Sequence, residues 1–192
     1  LVQIDGNKPA LDDDAFAEWS RRLAGPRADA HRAFKEVFDV MHVALISFSW
    51  RRYTKSQVMS QDIVQNAMLK LWEIRKTLDP KRSLKSLLYT MVRNLSLNAI
   101  RDRHPAQELN PEFMEDRVTQ GPDDELDYRM RKQLLYQYIS ELPQRRQEAF
   151  TLSRFEGLTH EEIAGIMGLT ARTVNTHITL ALRDLRARMA SL

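Results

Sequence analysis

The chain has 192 residues and no cysteine, so it is long enough for one ordinary domain or two small ones, and disulfides and thiolate metal sites are excluded. Its longest apolar runs, such as Val43 to Ile46, fall far short of the roughly 20 residues that a membrane-spanning helix needs, and the N-terminal stretch lacks the apolar core of a signal peptide. The net charge of +3 conceals a pattern: residues 1–30 carry −2, residues 31–104 carry +8, residues 105–127 carry −7 and residues 128–192 carry +4.

Two basic blocks thus flank an acidic one, the arrangement a polyanion partner requires, although each block alone also suits a solvated helix face. Apolar residues recur at three- and four-residue steps and glycine is scarce, so the fold is expected to be all-α. A short helix, "DDDAFAEWSRRLAG", falls within residues 1–30 and is expected to pack on the first domain; it suggests no function. Phe34, Val37, Phe38, Met41, Leu45 and Phe48 then form one helical stripe.

A second helix is expected from about Ser60, as N-cap, to Lys76, with Ile63, Val64, Ala67, Met68, Leu71 and Trp72 inward. Its polar side chains Asp62, Gln65, Asn66 and Glu73 suit either a protein partner or solvent. The third, about Leu84 to Arg103, places Leu87, Leu88, Met91, Val92, Leu95 and Ile100 inward and ends at His104-Pro105. Around it, Lys81, Arg82, Arg93, Arg101 and Arg103 can neutralise phosphate, and Asn94 and Asn98 offer donors and acceptors. Tyr89 is either a stacking platform for an unpaired base or a core residue.

Residues 105–127, "PAQELNPEFMEDRVTQGPDDELD", read as an extended acidic linker. Beyond it, residues 128–142 are helical in period and Pro143 opens another helix. In "LTHEEIAGIMGLTARTVNTHI" (158–178), Thr159 and Glu162 make a capping box, Gly168 suits a turn of positive φ, and Thr170 caps the following helix. Helix, short turn, helix is the pattern of a helix-turn-helix, whose second helix enters the major groove; a helical hairpin of purely structural use is the plainer alternative. Arg172, Asn175, Thr176, His177 and Thr179 are the polar side chains available there, with Arg172 and Asn175 best suited to guanine and adenine edges. His177 is ambiguous between surface, core and contact.

Taken together, "SQDIVQNAMLKLWE" (60–73), "LDPKRSLKSLLYTMVRNLSLNAIRDR" (78–103) and "LPQRRQEAFTLSRFEGLTHEEIAGIMGLTARTVNTHITLALRDLRARM" (142–189) resemble, in order, three segments of the extracytoplasmic-function branch of the bacterial sigma-70 family. These are the small promoter-recognition subunits of RNA polymerase. The resemblance implies two small helical domains: residues 1–104 for docking on core polymerase and opening the −10 element, and residues 128–192 for reading the −35 element, with 105–127 as linker. It implies that Asp62, Gln65, Asn66, Leu69 and Trp72 meet core polymerase. By the same resemblance, Lys81, Arg82, Tyr89, Arg93, Asn94, Asn98 and Arg101 would serve single-stranded −10 DNA, the loop from Asp79 to Ser83 joining Asn94 in capturing a flipped base. Arg172, Thr173, Asn175, Thr176, His177 and Thr179 serve the double-stranded −35 element. Core RNA polymerase, promoter DNA and an anti-sigma factor are the implied partners, with no cofactor and no enzymatic step, in a cytoplasmic protein that an anti-sigma factor can hold at the inner membrane face.

Leu87 stands where the family usually has tryptophan, Asn66 where it has an acidic residue and Asn98 where it often has aspartate. The "TVNTHI" run also resembles the recognition helix of two-component response regulators, so promoter sequence is not carried over. The rival expectation is a stand-alone helix-turn-helix regulator with a dimerising or sensing N-terminal domain. A third reading, an enzyme acting on nucleic acid, finds no support in the sequence, which has no phosphate-cradling glycine loop, no cysteine and no acidic cluster spaced to hold a metal.

Overall fold

A computed structural model of the chain describes residues 13–103 and 123–190, and all the regular structure in them is helical. The chain divides into two compact units, Leu1–Glu108 and Leu109–Leu192.

In the first unit, α1 (Asp13–Ala24), α2 (Arg27–Ser49), α3 (Gln57–Ile74) and α4 (Leu84–Arg103) share one core. Val37, Met41, Leu45 and Phe48 of α2 meet Ile63, Val64, Ala67, Met68 and Leu71 of α3 and Leu84, Leu88, Tyr89 and Val92 of α4 in it, all buried. Phe34 and Phe38, expected in the same stripe, are only half-buried. So are Leu87, Leu95 and Ile100 on α4. Inside the core, the Ser49 and Ser96 hydroxyls bond each other at 2.9 Å, tying α2 to α4 while leaving neither hydroxyl unsatisfied.

The helix expected to begin at Ser60 begins earlier. α2 widens into a π-helical turn, Trp50–Thr54, which Lys55 closes in the left-handed region (φ 52°), and Ser56 caps α3 by accepting from the Met59 N–H at 3.3 Å. Ser60 is fully buried, its hydroxyl 2.6 Å from that of Thr54. Two serines one turn apart both fit a cap, and the contact with Thr54 decides between them.

The second unit contains α5 (Asp123–Ser140), α6 (Gln144–Arg154), α7 (His160–Met167) and α8 (Ala171–Met189). Ile139, Leu142, Phe150, Ala181 and Leu185 form a cluster on which Leu135, Tyr138, Phe155 and Leu182 pack, and Arg146 of α6 pairs with Asp184 of α8 at 2.6 Å. Here the structure corrects the expected linker: its last residues, 123–127, are the start of α5, and residues 105–122 lie outside the described residues.

Candidate nucleic-acid and polymerase interfaces

The turn between α7 and α8 forms as its residue types require. Thr159 and Glu162 make the capping box, with Glu162 N–H donating to Thr159 Oγ1 at 3.2 Å and Thr159 N–H donating to the Glu162 carboxylate at 2.8 Å. Gly168 takes φ 66°, a region costly to any residue with a Cβ, and Thr170 caps α8 by accepting from the Thr173 N–H.

On α8, Arg172, Asn175, Thr176 and Thr179 are exposed. At 100° per residue Arg172, Thr176 and Thr179 fall in one row, with Asn175 at its flank. The Thr176 hydroxyl donates back to the Arg172 carbonyl at 3.0 Å. Arg183, exposed and one turn beyond Thr179, extends the same row, a position the resemblance did not mark. Thr173 is half-buried, its hydroxyl 2.9 Å from that of Thr170, so it serves the cap.

His177 departs from expectation. It sits on the stripe of Val174, Ile178 and Ala181, all buried, and its Nδ1 is enclosed without a hydrogen-bond partner. Burial, and then the charges of Arg145 and Arg146, push its pKa below the ordinary value of 6.5. The side chain is directed away from the row of Arg172, so the structure removes it from the expected base-reading set.

On α4, Asn94, Leu97, Asn98 and Arg101 are exposed together, spaced three and four residues apart. Lys81 and Arg82 are exposed on the preceding loop, whose turn is fixed locally: Asp79 accepts the Lys81 N–H on its carboxylate at 2.9 Å and the Arg82 N–H on its carbonyl at 2.9 Å. Ser83 caps α4, accepting from the Ser86 N–H at 3.1 Å. Arg93 is half-buried, about 100° around the helix from Asn94. Tyr89 is fully enclosed, edge-on to Phe48 at 5.1 Å between ring centroids, which corrects the stacking reading in favour of the core one. Its i−3 and i+3 neighbours in the sequence, Ser86 and Val92, do not reveal this; Phe48 does.

On α3, Asp62, Gln65, Asn66 and Leu69 are exposed on one face, and Leu69 is 61% exposed although apolar. Val58, 69% exposed, lies one turn before Asp62 on that face and was missed because the helix start was misplaced. Trp72 is half-buried, with His31 (4.5 Å) and Phe34 (5.4 Å) edge-on to it and the Arg75 guanidinium 4.0 Å over its ring. Among the described residues no cluster of His, Asp or Glu is placed to hold a metal ion, and no helix is long and apolar enough to cross a membrane.

Residues 41–105 match the family model described as Sigma-70 region 2, and residues 132–185 match that described as Sigma-70, region 4. The ECF RNA polymerase sigma factor RpoE of Cereibacter sphaeroides is 30% identical over 139 residues, spanning 68% of this chain and 72% of that protein. This chain belongs to the extracytoplasmic-function sigma factors. The RNA polymerase sigma factor SigV of Bacillus subtilis is 28% identical over 137 residues, 71% of this chain and 80% of that one. Two solved structures share the fold. One is CnrH in complex with the cytosolic domain of CnrY (TM-score 0.62, 19% identity, 93% of this chain and 99% of that one). The other is the sigma factor RpoE of Bartonella quintana in complex with the anti-sigma factor NepR (TM-score 0.63, 20% identity, 83% and 97%). As a sigma factor, the protein binds core RNA polymerase and directs it to promoters for transcription initiation.

Proposed function

We propose that this sigma factor divides initiation among three surfaces, with residues 1–104 docking on polymerase and opening the −10 element, residues 105–122 linking, and the unit from α5 onward reading the −35 element. The carrying observation is the difference between two exposed faces of the first unit: α3 offers carboxylate, amide and strongly exposed apolar groups, while α4 and its loop offer amides and cations about the less exposed Leu97. Leu69 with Val58 supplies apolar area for a protein interface, which Asp62, Gln65 and Asn66 surround with polar groups, and Trp72 anchors its end.

Opening the −10 element needs no covalent chemistry, and the protein acts without an enzymatic step. Unstacking a base costs a few kcal/mol, offset by a fitted pocket and phosphate contacts. Asp79 to Ser83 and Asn94 form the edge that receives the base; Asn98 donates and accepts beside it, and Lys81, Arg82 and Arg101 neutralise the strand. Arg172 reads guanine in the major groove and Asn175 adenine, with Thr176 and Thr179 at the same edge and Thr173 holding the helix start. Two solved structures with this fold, one of them named with an anti-sigma factor, support a protein inhibitor as a partner; on our reading it covers Val58 and Leu69 and holds this cytoplasmic factor inactive, at the inner membrane face where the inhibitor is membrane-bound.

Run-off transcription with core polymerase freed of other sigma subunits tests the reading, over a library of promoter fragments. Specific start sites appear only when the protein is added. Defined DNA binding without any polymerase-dependent start site would instead favour the stand-alone regulator.

A further inference from the structure

The matched family segments begin at residue 41, so α1 lies outside both. It is nevertheless built into the first unit, with Phe16, Trp19, Ser20 and Leu23 all buried. Its neighbours are α2, the 3-10 turn Arg75–Thr77 and α4. The last two are the shoulders of the loop Leu78–Ser83: one delivers the chain into it and the other receives it.

We propose that α1 is a positioning element for this loop, locking both of its shoulders to α2 through Trp19 and Arg22. This rests on the reading of the loop and α4 as the place of strand capture. The loop's own hydrogen bonds reach only two or three residues, so they shape the turn without aiming it. Aim comes from the shoulders. Phe16 sits edge-on to Trp19 at 5.2 Å, and Lys85, the second residue of α4, holds its ammonium 6.0 Å from the Phe16 ring.

The lock on α2 is specific. Glu36 receives the Trp19 indole N–H at 2.9 Å and both terminal nitrogens of Arg22 at 2.7 and 2.9 Å, while Arg22 Nε donates to Asp29 at 3.2 Å. Arg22 first and Trp19 second hold the Glu36 carboxyl down to about 2, so the acceptor stays ionised at any working pH. A planar fork bonded at three nitrogens fixes rotation as well as distance, which a lone apolar contact does not. Groups that receive a reactant must be held to fractions of an ångström by the residues behind them.

The test uses the full chain assembled with core polymerase and four variants: Trp19→Phe, which keeps an aromatic ring and deletes the indole bond; Arg22→Met; Arg22→Lys as its conservative rescue; and Asn94→Ala as reference. Affinity for core polymerase is measured by competition, and open-complex formation by permanganate reactivity of unpaired thymines. Trp19→Phe and Arg22→Met should leave core affinity within about twofold and slow opening about tenfold, as small misplacements of reacting groups do, with Arg22→Lys restoring part of the rate. If Asn94→Ala slows opening and the α1 variants do not, the positioning role is overturned and strand capture stands. If Asn94→Ala itself leaves opening intact, the underlying reading falls and the proposal with it. Core affinity and opening falling together in the α1 variants would make α1 mere scaffold and also overturn it. Should Arg22→Met fail to fold, Trp19→Phe carries the test.

Discussion

His177 shows how a single side chain on the helix proposed to read DNA turns partly toward the core instead. Its ring is half-buried with Nδ1 enclosed, on the stripe of Val174 and Ile178 and within the field of Arg145 and Arg146 on α6, with Arg146 itself paired to Asp184. In the unfolded chain the imidazole titrates near 6.5, and in the fold it titrates lower, so between those two values the unfolded chain binds more protons. The stabilisation is therefore complete above 6.5 and is lost as pH falls through the folded value. Hydrogen-exchange protection of α8 amides, corrected for intrinsic rates, should drop between about pH 7.5 and about pH 5.5 in the native protein and much less in His177→Gln. Equal drops in both would remove His177 from the account. Residue by residue, the exposure of Arg172, Asn175, Asn94 and Asp62 is legible in the sequence because polar types on the outer face of an amphipathic helix stay exposed. The sequence marks Tyr89 and His177 poorly because both types are amphipathic, and only a tertiary neighbour decides which side prevails.

Helices α7 and α8 were legible to the level of their caps, since Thr159, Glu162, Gly168 and Thr170 act within a few residues of themselves. The starts of α3 and α5 were not. One depends on a buried hydroxyl pair between Thr54 and Ser60, and the other on acidic residues that suit a linker and a helix N-terminus equally. The two glycines flanking the end of α7 turn this local logic into opposed effects. A Cβ at Gly165 or at Gly168 meets nothing within 4 Å, so sterics with neighbours do not separate them. Backbone conformation does: Gly165 lies within the helix, whereas Gly168 has φ 66°. Gly165→Ala should stabilise the second unit by about 0.5–1 kcal/mol, and Gly168→Ala should destabilise it by about 1–2 kcal/mol. All three tryptophans belong to the first unit, so urea titration followed by indole emission is blind to this change and far-ultraviolet circular dichroism is the measurement to use. Effects of the same sign at both positions would contradict the assigned role of Gly168.

At the scale of the whole molecule, the two basic blocks of +8 and +4 fall in different compact units, while the acidic segment of −7 runs past the boundary between them and into α5. Which base pairs the protein selects is not legible, because on the proposed reading selection depends on the rotamers of Arg172 and Asn175 against a particular groove. The assignment of binding and opening to different helices has a sharper consequence. Leu69 is exposed and apolar on α3, and covering a leucine stabilises an interface by about 1.5–3 kcal/mol when burial is complete, so Leu69→Ala should weaken core polymerase binding about tenfold. Asp62→Ala and Gln65→Ala should weaken it too, by less, since they lie at the polar edge of that face. All three side chains are exposed on α3 and none belongs to α4 or its loop, so the complex, once formed at saturating protein, should open promoters at the native rate. Asn94→Ala should behave in the opposite way, with native core affinity and slow opening. Fluorescence competition for core polymerase and a stopped-flow opening assay on one promoter separate the two quantities. If every variant loses both in the same proportion while remaining folded, α3 and α4 act as one surface and the division between them is wrong.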